Sequence, residues 1–176
     1  MPKKSTPNTK TSNPQNLLIS GIVVVIVVGG VIYFANKGNG VTDNQAKVSQ
    51  RYNQYWDQVL EATSNPEYDL VNLEKVARGQ QLETLKSGIQ MSRDFNVIQI
   101  NEPKNHIIEI DLEDDEAYVY DCVDMSDWLV ADAKTGVKIP DQKITYEPQL
   151  IEVKMSQNES DWYVTVLSEL GECPDE

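Results

Sequence analysis

Two kinds of residue could carry chemistry in this chain: one histidine, and an acidic side chain on an apolar strand face. His106 is the sole histidine, and it stands at the start of a predicted strand, a position typical of a solvated polar residue. Asp121 alternates onto the same strand face as Ala117 and Val119. A carboxylate on such a face would have a raised pKa and could act as a general base. Because no second catalytic partner accompanies it, we predict no catalytic residue.

Metal and cofactor sites find equally little support. Asp111 and the acidic run 113–116 lack the regular spacing and the glycine with which a calcium loop folds around its ion. The two cysteines lie 51 positions apart with no histidine beside either, which is not a zinc-binding pattern. We therefore predict a solvated acidic turn, no metal site and no cofactor.

Aromatic side chains form a third group, on the first predicted helix of the domain. Tyr52, Tyr55 and Trp56 follow one another at helical spacing, which is most often a core stripe. The alternative is an apolar pocket lined by these three rings with Asp121 inside it, able to bind a ligand or a substrate.

A membrane anchor is the strongest feature of the sequence. Residues 17–35 contain no charged side chain over 19 residues, and as a helix they would span roughly 28 Å, close to the hydrocarbon thickness of a bilayer. A cleaved signal peptide has a shorter apolar region and a small-x-small cleavage site, whereas Tyr33 stands at position minus three from Ala35. No cysteine for a lipoprotein anchor lies near the exit. The segment predicts a retained signal anchor.

Flanking charge orients the anchor. Lys3, Lys4 and Lys10 precede it without an acidic residue, and basic residues stay on the cytoplasmic side. This predicts a disordered basic cytoplasmic tail (1–16), a transmembrane segment (17–35), a stalk (36–42) and an extracytoplasmic domain (43–176). That domain holds all 28 acidic residues and 11 of the 15 basic ones, a formal charge of −17. Such a surface repels nucleic acid, so we predict no nucleic-acid partner.

Cysteine usage fits the same compartment. Cys122 and Cys173 both lie in the predicted external domain, and an even count in an oxidising compartment indicates a disulfide.

Apolar periodicity predicts helices first and strands afterwards. A capping-box pattern at Thr42–Gln45 opens a helix that runs to about Thr63, and the period changes from 3.6 to 2 after Phe95. This order indicates an α+β fold, with three N-terminal helices packed on a curved antiparallel sheet. The other predicted helices are 69–77 and about 80–94, and the predicted strands are 97–100, 106–112, 117–123, 128–131, 143–155 and 162–170.

Several short motifs follow this order of elements: Tyr52-x-x-Tyr55-Trp56, Ala77-x-Gly79, Ala117-x-Val119-x-Asp121-Cys122-x-Asp124, Thr135-Gly136, and Trp162-Tyr163-Val164 running to Gly171-Glu172-Cys173. Over residues 43–174 the sequence resembles membrane-anchored or secreted NTF2-like domains of Gram-positive bacteria, chiefly actinobacteria. The resemblance implies a cone-shaped α+β fold, an exported location and the Cys122–Cys173 pairing, and it implies no particular chemistry.

These features predict a membrane-anchored interaction or scaffold domain without catalysis, with a protein partner in the cell envelope. One specific form of this hypothesis is a part of a secretion, conjugation or envelope-assembly machine, by analogy of layout alone. The alternative hypothesis is a ligand-binding or enzymatic cone that uses the aromatic pocket.

Overall fold

A computed structural model describes residues 42–144 and 147–174 of the chain. The predicted tail and transmembrane segment lie outside these residues, as does the stalk up to Val41. No helix in the described part is long and apolar enough to cross a membrane.

Helices precede strands, as the sequence predicts. The described elements are α1 (Asp43–Ser64), a 3-10 helix (Leu70–Lys75), α2 (Gly79–Asp94), β1 (Val97–Ile100), β2 (Lys104–Glu113), β3 (Glu116–Asp124), β4 (Leu129–Asp132), β5 (Gln149–Asn158) and β6 (Asp161–Glu172). The predicted α+β class, with helices packed against an antiparallel sheet, is confirmed.

The start of α1 is fixed by its own side chains. Thr42 Oγ1 accepts from the Gln45 amide at 3.2 Å, and Gln45 Oε1 accepts from the Thr42 amide at 3.1 Å, which is the predicted capping box. The Gln45 side chain also donates to the Ile110 carbonyl at 3.0 Å. The same cap therefore ties the helix to β2.

Two sheets share the strands. β2, β3, β5 and β6 form a four-stranded antiparallel sheet in that order, and β1 pairs with β4 in a separate two-stranded one. The helices pack on one face of the larger sheet, here called the inner face, and its opposite is the outer face. On β3, Ala117, Val119, Asp121 and Val123 point inward, and the buried core includes Val48, Val59, Leu73, Leu85, Ile89, Ile151, Val153 and Met155. Burying one such side chain contributes about 1.5–3 kcal/mol.

One predicted strand boundary is wrong, and the strand pairing adds two details that periodicity does not give. The predicted strand 143–155 begins only at Gln149, directly after Pro148, because proline has no amide to donate to the ladder. The hairpin after it is a tight turn at residues 159–160, with Asn158 paired to Asp161. On β2, the register shifts between Ile107 and Glu109, and this bulge leaves Ile108 45% exposed while Ile110 is buried.

A disulfide joins Cys122, on the outer face of β3, to Cys173 just past the end of β6. The two Cα atoms lie 5.8 Å apart, and the Cys173 amide donates to the Pro148 carbonyl at 3.2 Å. The bridge thus attaches the last described residues of the chain to the central strand, and the predicted pairing is confirmed.

The double substitution C122S/C173S is expected to lower the free energy of unfolding by about 4 kcal/mol, because a bridge across 51 positions restricts the unfolded chain. Urea denaturation of the full-length protein measures the loss. Reducing the wild-type protein is the matched control and should reproduce it; equal stability of oxidised protein and double variant would show that the bridge adds nothing.

Candidate functional site

The residues of the predicted aromatic pocket come together in the core, between α1 and β3. Tyr52 donates to Asp121 Oδ2 at 2.7 Å, and the rings of Tyr52 and Tyr55 lie edge-on to Trp56 with centroid distances of 5.8 and 4.9 Å. All four side chains have an exposed fraction of 0%. They form a closed internal cluster, here called the Tyr52–Asp121 cluster.

Asp121 is the chemically distinctive member of this cluster. Burial raises the pKa of its carboxyl to about 6, although the Tyr52 hydrogen bond lowers it and His106 and Asn105 act in the same lowering direction. Its second oxygen, Oδ1, makes no hydrogen bond of ordinary geometry within the described residues. A carboxyl of this acidity could serve as a general base near neutral pH, but a substrate could reach it only if the core opened.

Gln81 is a member of the cluster that the sequence analysis missed. Its Nε2 donates to the Tyr55 hydroxyl at 2.7 Å, and both residues are buried. Desolvation raises the pKa of Tyr55, while this bond lowers it. Gln81 lies in the first turn of α2, which starts at Gly79, and a polar side chain there is usually solvated. Residue spacing alone therefore does not predict that Gln81 is buried.

The histidine and the other acidic side chains on and after β2 and β3 lie apart from this cluster. His106 is exposed on β2, Asp124 accepts from the Ser126 amide at 2.9 Å, and Asp127 pairs with Lys104 at 3.0 Å. The acidic run 113–116 includes the turn between β2 and β3, where Asp114 has a φ of 53°. Within residues 42–144 and 147–174, no three acidic, histidine or cysteine side chains are placed to hold a metal ion.

The outer face of the larger sheet carries a two-tyrosine platform. Tyr118 stands between Asp111 and Lys154 on the neighbouring strands, and Tyr120 stands between Glu109 and Glu152. Hydrogen bonding with the Glu152 carboxylate raises the pKa of the Tyr120 phenol, with further contributions from Glu152, Asp111 and Glu109 charges. Tyr120 therefore has carboxylates on both neighbouring strands, whereas Tyr118 has the Lys154 ammonium beside it.

A surface cavity of about 470 Å³ continues this face at the disulfide end. Its lining includes both cysteines together with His106 and the exposed Ile108. The β2 bulge places Ile108 there, and it supplies an apolar side chain beside the polar platform.

Comparison with known proteins adds little. No family model matches the sequence, and no curated protein matches it. Among solved structures, the chain is similar to the intermembrane space region of the chloroplast protein ARC6, with 12% identity, 72% of this chain and 96% of that chain covered, and a TM-score of 0.49. A likeness at that level carries no argument about function.

Asp121 is expected to make the protein less stable as the pH rises. Its folded pKa of about 6 lies above the ordinary value of 3.8, so its contribution is fully present below 3.8 and is lost as the pH rises through about 6. The change amounts to about 3 kcal/mol. D121N, which cannot titrate, should gain that amount relative to the wild-type protein between about pH 4 and about pH 7.

Urea denaturation across this pH range measures the effect. D57N removes an exposed aspartate from α1 and is the matched control, whose stability curve should run parallel to that of the wild-type protein. A D121N curve parallel to the wild-type curve would contradict the assigned pKa.

Proposed function

We propose that the chain is a single-pass membrane protein whose acidic external domain is an NTF2-like interaction module without catalysis. The domain would bind a protein partner in the cell envelope, as a part of a secretion, conjugation or envelope-assembly machine. The anchor would be residues 17–35, with the basic tail in the cytoplasm.

One observation carries the non-catalytic part of this proposal. Tyr52, Tyr55, Trp56 and Asp121 are all wholly buried, so the interior that an NTF2-like enzyme would use for its substrate is occupied by side chains. The outer sheet face, by contrast, presents partly exposed tyrosines and the exposed Ile108. Exposed aromatic and aliphatic side chains beside polar ones are typical of protein-binding surfaces.

Three features together support the proposed location of the domain outside the cytoplasm. Residues 17–35 are uncharged over 19 positions, lysines precede them, and the domain beyond them contains a disulfide. Disulfides persist in oxidising compartments and are rare in the cytosol, so the bridge supports a location outside the cytoplasm.

A second candidate is a ligand-binding domain. A cavity of about 300 Å³ lies between the end of α1 and β1, with Trp128 and Gln99 in its lining. Gln99 Oε1 and Trp128 Nε1 are buried without a hydrogen-bond partner in the described part. Binding of a small polar molecule that alters the fluorescence of the wild-type protein but not of W128F would favour this candidate.

The topology predicts which positions a membrane-impermeant maleimide can reach. Q54C, on the exposed side of α1, should be labelled in intact cells, and S12C, in the predicted tail, should be labelled only after lysis. The native cysteines are bonded to each other and give no background. Labelling of S12C in intact cells, or of Q54C only after lysis, would refute the orientation.

The interaction role predicts a crosslinked partner. Formaldehyde treatment of cells that make the full-length chain should yield a covalent complex with an envelope protein, whereas the purified protein should turn over no small molecule. Absence of any complex would overturn the interaction role, and turnover by the purified protein would overturn the proposed absence of catalysis.

A further inference from the structure

The outer sheet face already holds one cation in a defined arrangement. The Lys154 ammonium lies 5.6 Å from the centroid of the Tyr118 ring and 2.6 Å from Glu116 Oε1. Tyr118 itself donates to Glu116 Oε2 at 3.0 Å. An ammonium is thus held by a ring face and a carboxylate together, the two attractions that cation–π and ion-pair interactions supply.

The neighbouring cross-strand row of the sheet, here called the Tyr120 row, also combines a tyrosine ring with carboxylates, but it lacks the ammonium group. Tyr120 is flanked by Glu109 on β2 and Glu152 on β5 in direct register, where cross-strand neighbours have Cβ atoms about 5 Å apart. Glu109 is exposed, and Tyr120 and Glu152 are partly exposed. Neither glutamate forms an ion pair with any cation of the described residues.

We propose that the Tyr120 row is the docking point for an arginine or lysine side chain of a basic protein segment, which lies across the outer face with its cation over Tyr120 and between Glu109 and Glu152. This deepens the proposed interaction role and rests on it. The segment's apolar side chains would contact Ile108 and the cavity at the disulfide end.

Charge complementarity selects this occupant. Residues 43–176 carry a formal charge of −17, which repels anionic lipids, nucleic acid and a second copy of the domain. A metal ion is a poor occupant, since no group of three potential ligands is placed to hold one in the described part. A guanidinium or ammonium fits, because a ring face and two carboxylates attract it without a closed coordination shell.

The test uses the full-length protein in detergent and a fluorescent peptide of about ten residues that alternates arginine and serine. Fluorescence anisotropy at low salt should show binding that E109Q/E152Q weakens about tenfold and that Y120L weakens about threefold. The matched control is E67Q/E83Q, which removes two exposed acidic charges outside the sheet and should change the affinity less than twofold. A peptide with glutamine in place of arginine should not bind.

Two results would overturn the proposal. One is no binding of the arginine peptide; the other is equal weakening by E109Q/E152Q and E67Q/E83Q, which would mean attraction by net charge alone. A photoreactive version of the peptide gives a readout on the wild-type protein that does not depend on the folding of a variant. Its crosslinks should fall on β2, β3 and β5, and crosslinks confined to the helices would also overturn the proposal.

The crosslinking experiment in cells distinguishes failure of the proposed docking point from failure of the proposed interaction role. If cells yield an envelope complex that E109Q/E152Q leaves unchanged, the Tyr120 row is not the docking point and the interaction role stands. If no complex forms with the wild-type chain, the interaction role itself fails.

Discussion

The hydrogen bond between Tyr52 and Asp121 joins the longest described helix to the centre of the larger sheet, across a layer of mainly apolar side chains. Leaving a carboxyl in such a layer is unfavourable unless a partner holds it, because desolvation favours its neutral form. Tyr52 is that partner, and its own pKa is raised well above the ordinary value by the same burial and by the Asp121 charge. The pair therefore fixes the rotation of α1 about its axis and its position along the sheet. The positions of Tyr55 and Trp56 on the same helix are fixed as a result.

Periodicity was enough to predict the layers of this fold. The stripe from Val48 to Val59 on α1 and the alternation of Ala117, Val119 and Asp121 on β3 are local patterns, and both faces they predict are the buried ones. The Asp121 environment could be anticipated as well, since its neighbours two and four residues back are apolar. Alternation does not identify the hydrogen-bond partner of Asp121. Tyr52 lies 69 positions away, and its hydroxyl is equally compatible with solvent.

Register is the second property that local patterns could not supply. Simple alternation places Ile108 with Ile110 in the core, but the β2 bulge inserts one extra residue and turns Ile108 outward. The same bulge decides that Glu109 stands opposite Tyr120. Which side chains of the outer face stand opposite one another is therefore a consequence of strand pairing, and the single-residue shift on β2 leaves no mark in its amino-acid pattern.

The two faces of β3 are coupled through its register. Asp121 points into the core and is held there by Tyr52, while its neighbours Tyr120 and Cys122 point to the outer face. A slip of one residue would exchange these faces, which would bury Tyr120 and Cys122 and expose the carboxyl. The disulfide acts on the same strand, since it holds Cys122 against the end of β6. Core pairing and covalent bridge together fix the row Glu109, Tyr120 and Glu152, so a rigid interior is what gives the open face a defined arrangement of charge.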